Sequence, residues 1–348
     1  MTLQRSIYPF FRSLLFRLEP EQAHGLTLSL IRLAGATPPV RAFLRYWFAT
    51  PPRPVQAFGL SFANPVGLAA GYDKDGLAWR GLACLGFGHI EIGTVTPVGQ
   101  AGNPRPRIFR LVEDQGLINR MGFPGHGAEF VARHLTQRRP AGLVLGVNIG
   151  KNKDTPLENA AQDYLSLLRT FASRADYIAI NVSSPNTAGL RRLQARRALE
   201  ELLGLLAEER KQIELQHAAG KHLPVLVKLA PDLTEAELED ALQAIQQAGM
   251  DGVIATNTTV ERQVVRSPRA QESGGLSGLP LFPRSLEMVS RIVQTTQGRL
   301  PVIGVGGITN AASAQAMLDA GAVLVQVYTG MVYAGPGLVK AILTGLRN

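Results

Sequence analysis

Residues 225–259 read VLVKLAPDLTEAELEDALQAIQQAGMDGVIATNTT. A short apolar run ends in a polar turn, a helical segment follows at 234–248, and a second apolar run at 252–256 ends in amides and hydroxyls. Apolar runs this short, bounded by turn residues, are buried strands, so the unit is strand, helix, strand. The same alternation runs through the chain from residue 55. Strand candidates lie at 66–70, 89–95, 143–149, 177–182, 225–230, 252–256, 301–305 and 323–328. Helical segments follow near 75–86, 125–138, 157–173, 195–217, 234–248, 281–297, 310–320 and 336–346. Eight βα units in succession predict an α/β fold of the closed (β/α)8 TIM-barrel type ahead of an open doubly wound sheet.

Three segments depart from the repeat. VQAFGLSFANP, from Val55, reads as a small hairpin. The interruption 96–124 carries a second hairpin-like piece, RIFRLVEDQGLIN, expected to lie over the barrel mouth, and the long connection 257–280 is expected to be mobile. Residues 1–48 read as two amphipathic helices broken at Glu19-Pro20, with Pro20 in the first turn of the second and Glu21 at its positive end. The first gathers Ile7, Phe10, Phe11, Leu14, Leu15 and Leu18 with Arg5, Arg12 and Arg17 around them; the second spaces Leu26, Leu30 and Leu33 helically. Such a pair can lie on a membrane surface, or it can be a plain hairpin packed on the body. The linker ATPPRP (49–54) divides it from the barrel of residues 55–348.

Composition narrows the function classes. The chain has 348 residues, 45% hydrophobic and 18% charged, which suits a globular protein with a large core. One cysteine, Cys84, allows no internal disulfide, and the six histidines show no metal-ligand spacing, so no metal is expected. The net charge of +9 is scattered apart from LRRLQARR (190–197), read as a solvated loop and helix start. That run has no interleaved aromatics, and no nucleic-acid partner is expected. No stretch is apolar for long enough to span a bilayer, and no signal-peptide pattern is present.

Barrels of this kind build their sites at the carboxyl ends of the strands. Here those ends read AAGYDKDG, GTVTP, NIGKNKD, NVSSPNT, KLAPD, TNTT, GVGGI and YTG. Amides, hydroxyls, glycines and two lysines thus converge on one rim. GVGGI leaves backbone N–H groups open near a helix start, which favours phosphate, although glycine as a plain turn residue reads the same. Lys228 sits inside an apolar strand, where an ammonium is costly unless an electron-rich partner uses it or its stem carries it to the rim. Lys74 in YDKDG equally suits a surface loop paired with Asp73 or Asp75.

These motifs, with EIGTVTP, NPRPRIFRL, INRMGF, VKLAPDL, GGLSG and VQVYTG, resemble the dihydroorotate dehydrogenase family over nearly the whole chain. LEPEQAH in the N-terminal helices, and a serine in NVSSPNT where soluble classes carry cysteine, resemble its quinone-using, membrane-associated class. The resemblance implies oxidation of (S)-dihydroorotate to orotate in pyrimidine biosynthesis, with one FMN per chain and a membrane quinone as final acceptor. It implies FMN contacts at Ala70, Gly71, Tyr72, Asp73, Lys74, Thr94, Asn148, Asn181, Lys228 and Thr256, with Gly278, Gly307, Tyr328 and Thr329 at the phosphate end. Substrate contacts would be Lys74, Asn119, Arg120, Met121, Gly122, Phe123, Asn181, Asn186, Asn257 and Thr258. Ser184 would be the base, with Thr187 and Phe123 shaping a proton relay, and Lys228 would stabilise the reduced flavin. Its neighbour Ser183 would cap the loop backbone.

By the same resemblance His24 would lie near the quinone, with Tyr328 and an arginine of NPRPR toward the flavin. The protein would be a monomer, peripheral on the cytoplasmic face of a bacterial inner membrane. Three rival readings stand beside this one: a phosphate-binding isomerase barrel, a non-catalytic membrane-surface protein, and a soluble dehydrogenase that reduces fumarate or NAD.

Overall fold

A computed structural model describes residues 3–135, 139–140, 142–216 and 222–347, with side chains from Tyr8 onward. Eight parallel strands close into a barrel: β1 (Val66–Leu68), β2 (His89–Val95), β3 (Val144–Ile149), β4 (Tyr177–Asn181), β5 (Val225–Leu229), β6 (Gly252–Ala255), β7 (Val302–Val305) and β8 (Leu324–Val327). β8 returns to β1, with Val66 opposite Val325, so no edge is left open. All eight expected strands are present. The helices between them follow in the expected order, although the far ends of two, at 136–138 and 217, lie outside the described residues. After β1 only two short helical turns, Trp79–Leu82 and Ala83–Leu85, remain of the helix expected at 75–86. The Asp73 carboxylate takes the N–H groups of Leu77 and Ala78, both at 2.8 Å, and holds that segment as a turn.

Alternation along the strands decides what faces the barrel axis. In β5, Val225, Val227 and Leu229 pack outward against the helices, and Leu226 packs inward with Ile254, Ile303 and Leu324. Side chains two apart share a face. Lys228 therefore points inward one layer above Leu226, toward the carboxyl ends. By the same count Glu91, Asn148, Asn181 and Gln326 share that upper interior layer. The lower end is plugged by the expected hairpin, Val55–Ala57 against Leu60–Phe62, whose Phe62 ring meets His89 edge-on at 5.4 Å.

Over the mouth, Ile108–Leu111 pairs with Gly116–Asn119 as the expected hairpin. Gly275–Gly278 adds a third strand, so the connection expected to be mobile is tied into the cap by a ladder and by a bridge from Thr259 to Leu276.

The N-terminal segment holds the two expected helices, α1 (Leu3–Leu15) and α2 (Pro20–Ala36), and a third, α3 (Pro38–Trp47). Thr37-Pro38-Pro39 is the reason: proline cannot continue α2 but is well placed in the first turn of a new helix. The Glu19 carboxylate caps α2, accepting from the N–H groups of Glu21 (2.9 Å) and Gln22 (3.0 Å). α2 lies against the Trp79–Leu82 turn at Gly35 and Gly81, where a Cβ on Gly81 would come 2.0 Å from the Ile31 carbonyl oxygen. The Tyr8 hydroxyl donates to the Val332 carbonyl at 2.7 Å, and Lys340 Nζ donates to that of Trp47 at 2.7 Å. The helices are thus docked on the barrel, yet Phe10, Leu33, Phe43 and Tyr46 stay exposed.

Candidate active site

The carboxyl ends of the strands and the cap enclose a polar cavity with about 1090 Å3 of unfilled space, its mouth included. Its wall includes Ala70, Gly71, Lys74, Thr94, Asn119, Met121, Gly122, Phe123, Asn181, Ser184, Asn186, Lys228, Thr256, Asn257, Thr258, Gly278, Gly307, Tyr328 and Thr329. Nineteen of the expected site residues thus come together from all parts of the chain. Two lysines and no carboxylate stand on that wall, which suits an anionic ligand.

Five residues expected at this cavity lie elsewhere. Asp73 is buried as the turn-holder already described, and burial raises its carboxyl to about 6 against the pull of the Ala78 and Leu77 N–H groups. Asn148 lies behind the wall, accepting from Thr94 Oγ1 at 2.5 Å and donating to Glu91 Oε1 at 2.9 Å. Arg120 turns away to pair with Glu272 at 2.7 Å and to cover the Phe109 ring. Thr187 is buried, and its hydroxyl has no hydrogen-bond partner among the described residues. Tyr72 faces a second cavity.

NVSSPNT is a junction of the amide network. Asn181 Nδ2 donates to Thr94 Oγ1 (2.8 Å), and its Oδ1 accepts from Ser183 Oγ (3.1 Å) and Asn257 Nδ2 (3.3 Å). Asn257 also donates to Ser183 Oγ at 2.9 Å. Ser183 therefore ties two site asparagines together and is no backbone cap. Ser184 Oγ lines the cavity and accepts the Asn186 N–H at 3.2 Å. Asn186 Nδ2 reaches Asn119 Oδ1 at 3.2 Å.

The run LRRLQARR also changes character. Arg191 binds the Ser183 carbonyl (3.0 Å), Asp232 (2.7 Å) and the Thr258 carbonyl (2.9 Å), clamping the loops after β4, β5 and β6 from beneath. The cap loop is held likewise. Gln100 Nε2 donates to the Gly122 and Phe123 carbonyls at 3.0 Å, and Asn103 Nδ2 to those of Arg120 (2.9 Å) and Asn186 (3.1 Å). Phe123 is kept in the left-handed region at φ 53°, a costly conformation for a bulky side chain.

Lys74 Nζ donates to the Gly71 carbonyl at 2.6 Å. Burial lowers its ammonium to about 8, opposed by Glu21 and Asp75 and assisted by Arg107. The Lys228 ammonium makes no hydrogen bond among the described residues, and its Nζ lies 3.8 Å from Glu91 Oε1. Glu91 is fully buried and also accepts from Tyr177 OH (3.0 Å) and Gln326 Nε2 (2.9 Å). The sequence reading missed Glu91, Tyr177 and Gln326. A polar residue amid apolar neighbours, as in HIEIG and LVQV, was the available signal.

A second cavity, with about 1500 Å3 of unfilled space, its mouth included, lies between the N-terminal helices and the barrel and is mainly apolar. It meets the polar cavity at Ile108, Leu117 and Tyr328. His24 lines it and packs edge-on against Tyr72 at 5.0 Å, and Tyr72 against Tyr328 at 5.8 Å. Burial, with Lys74 nearby, lowers the His24 imidazole to about 4 and keeps it neutral. The arginine on this wall is Arg110, beyond NPRPR; Arg105 and Arg107 instead bind Glu21.

The sequence pattern of dihydroorotate dehydrogenase matches residues 54–348. Proteins of Yersinia pseudotuberculosis (serotype O:1b, strain IP 31758) and Yersinia pestis, each named dihydroorotate dehydrogenase (quinone), are 48% identical over 338 residues, 97% of this chain and 99% of theirs. That span takes in most of the N-terminal helices. The crystal structure of Eimeria tenella DHODH in complex with ferulenol superposes with a TM-score of 0.82 at 37% identity, covering 94% of this chain and 90% of that one. Its ligand-free form gives 0.80 at 39% identity, covering 90% and 93%. With its barrel, cap and converging rim residues, the chain belongs to the dihydroorotate dehydrogenase family.

Proposed function

We propose that this protein oxidises (S)-dihydroorotate to orotate in pyrimidine biosynthesis, with FMN in the polar cavity and a membrane quinone reaching the apolar one. The observation that carries this reading is the shared wall at Ile108, Leu117 and Tyr328, where a basic, amide-rich cavity meets an apolar one.

The residues present fit FMN. Gly278 (φ 95°) and Gly307 (φ 70°) line one end, with Thr329 Oγ1 2.8 Å from Ser277 Oγ, and no carboxylate stands there to repel a phosphate. A Cβ on Gly278 would come 2.4 Å from the Gln115 carbonyl oxygen, so glycine is required for the cap strand to close over this end. Bound there, FMN supplies a hydride acceptor for the substrate and a two-electron donor for the quinone.

Lys74 meets the substrate carboxylate, and Asn119, Asn186 and Asn257 match the donors and acceptors of the ring. Ser184 takes the C5 proton. Its hydroxyl accepts the Asn186 N–H, which favours oxygen as negative charge develops, and the partnerless Thr187 hydroxyl offers the proton its next stop. Lys228, its ammonium donors unspent, lines the cavity where it would face the electron-rich ring of the cofactor. The cap loop, pinned by Gln100 and Asn103, keeps water out.

Among the described residues no helix is long and apolar enough to cross a membrane. The exposed Phe10, Leu33, Phe43 and Tyr46 lie on helices whose sequence carries six arginines and two glutamates over residues 1–48, which supports peripheral seating on an anionic bilayer. That seating would open the apolar cavity to quinone on the cytoplasmic face of a bacterial membrane, with a monomer sufficient for the whole reaction.

The test is an anaerobic titration of the purified protein. Dihydroorotate should bleach a yellow sample and added quinone should restore the colour. A colourless protein that cannot be reconstituted with FMN, or a yellow one that dihydroorotate leaves unchanged, would overturn the reading.

A further inference from the structure

We propose that Glu91 is a positioning residue for Lys228 and, by balancing its charge, sets the reduction potential of the flavin site. This rests on the function proposed above. Glu91 lies in the middle of β2 between Ile90 and Ile92 and has no exposed surface. A carboxylate in a barrel interior is retained against a heavy desolvation penalty, where an apolar side chain would pack more favourably. Every hydrogen bond it accepts is a fixed one: Asn148 Nδ2 at 2.9 Å, Tyr177 OH at 3.0 Å and Gln326 Nε2 at 2.9 Å.

Lys228 is the sole cation in contact with it among the described residues. The 3.8 Å separation is a contact ion pair without a hydrogen bond, so the carboxylate anchors the ammonium while its N–H donors stay available to the cavity above. The pair is oriented: Lys228 and Gln326 line the cavity, and Glu91 does not. An electron-rich ring in the cavity meets the positive end first, with the negative end behind it reducing the pull. Removing the carboxylate's charge leaves Lys228 uncompensated and favours the reduced cofactor.

Glu91→Gln is close to isosteric. Gln326 Oε1 is buried without a partner, so its amide can turn and accept from the new side chain, which lets the fold survive the exchange. The experiment measures the midpoint potential of the FMN-loaded protein by spectroelectrochemistry. E91Q should move the reduced-to-oxidised ratio at least tenfold toward reduced, about 30 mV upward for a two-electron couple. Tyr177→Phe disturbs the same hydrogen bonds without changing charge and should stay within threefold of wild type, about 14 mV. An E91Q potential within threefold of wild type, a shift in the opposite direction, or a Y177F shift as large as that of E91Q overturns the proposal.

Should E91Q not fold, the pair K228M and E91Q/K228M decides. K228M should shift at least tenfold toward oxidised, and the double variant should recover to within threefold of wild type; equal potentials for the two overturn the proposal. A wild-type protein that binds no FMN, or whose FMN dihydroorotate cannot reduce, sinks the underlying reading instead. A reducible wild type indifferent to E91Q sinks only the role of Glu91.

Discussion

Lys74→Met should stabilise the substrate-free protein at neutral pH while abolishing substrate binding. Burial lowers the Lys74 ammonium from 10.5 to about 8. A group whose folded value lies below its unfolded one is harder to protonate in the fold, so at pH 7 the protonated lysine destabilises the native state. At 1.36 kcal/mol per pH unit the penalty is about 3 kcal/mol. The exchange also removes the bond to the Gly71 carbonyl, worth about 1 kcal/mol, although that oxygen keeps the Tyr328 hydroxyl at 3.4 Å. Penalty relief wins by about 2 kcal/mol. With unfolding entropy near 2.1 cal/mol/K per residue, a chain of this length gains about 3 °C in Tm. As pH rises through 8 toward 10.5 the lysine loses its proton in both states, and by pH 10 the penalty is below about 1 kcal/mol. The lost hydrogen bond then cancels the gain. Thermal unfolding of wild type and K74M at pH 7 and pH 10, with FMN saturating and substrate absent, measures both. A K74M protein less stable at pH 7, or equally stabilised at both pH values, would refute the reasoning. The same lysine makes dihydroorotate affinity fall roughly tenfold per pH unit above about 8.

Ser184→Ala should slow flavin reduction by dihydroorotate on the order of a hundredfold or more with FMN still bound; an unchanged rate in stopped-flow reduction would remove Ser184 as the base. His89 is fully buried with both ring nitrogens unpartnered, and burial lowers it to about 3. Its folded value lies below the unfolded 6.5, so the stability tied to it is complete above pH 6.5 and lost as pH falls toward 3. His89→Leu should therefore add about 1–2 kcal/mol at pH 7 and flatten the acid limb of a urea-denaturation series, and an unchanged acid limb would count against it. Ala23→Phe, which fills the apolar cavity only, should slow reoxidation by quinone and spare reduction by dihydroorotate; equal loss of both half-reactions would argue against separate routes. Phe10→Glu with Phe43→Glu should weaken sedimentation with anionic vesicles and leave flavin reduction intact, and undiminished vesicle binding would move the membrane contact elsewhere.

What was legible in the sequence is what local physics writes there. Eight apolar runs with polar ends gave the barrel, because a buried strand has no other reason to end in NVSSPNT or TNTT. Lys228 stood out because an ammonium is conspicuous among valines and leucines, and Glu91 in HIEIG carries the same signal with its sign reversed. Long-range pairing left no such trace. That Asn103 would hold the carbonyls of Arg120 and Asn186, or that Arg191 would leave a basic run to clamp three loops, depends on the closed barrel bringing distant segments together. The cavity arginine was sought in NPRPR and is Arg110, because β pairing of Ile108–Leu111 decides which side chains face the helices, while Glu21 claims Arg105 and Arg107. Thr37-Pro38-Pro39, a proline pair at a helix start, was the available signal for α3, and the expectation of two helices passed over it.

The same pairing ties the two cavities together. Glu21 opens α2, which forms one side of the apolar cavity, and its carboxylate is held below its usual range by Arg107 and Arg105, burial working against them. Arg107 is buried and also donates to the carbonyls of Ala101 (2.7 Å) and Asn103 (2.9 Å). Asn103 in turn fixes the Arg120–Phe123 loop over the polar cavity. A displacement of α2 must therefore either break a buried ion pair or drag the Arg120–Phe123 loop with it, and the first is the more costly because it leaves Arg107 charged and unpaired. The wall between the cavities is thin, formed by Ile108, Leu117 and Tyr328, the last of which ends an aromatic row from His24 through Tyr72, yet the lining is rich in amides and lysines on one side and mainly apolar on the other. A charged ring acid gains nothing by crossing into the apolar side, and a quinone finds no lysine it needs on the other. Electrons can cross where neither reactant can, and this is how one bound cofactor could serve two substrates that never meet.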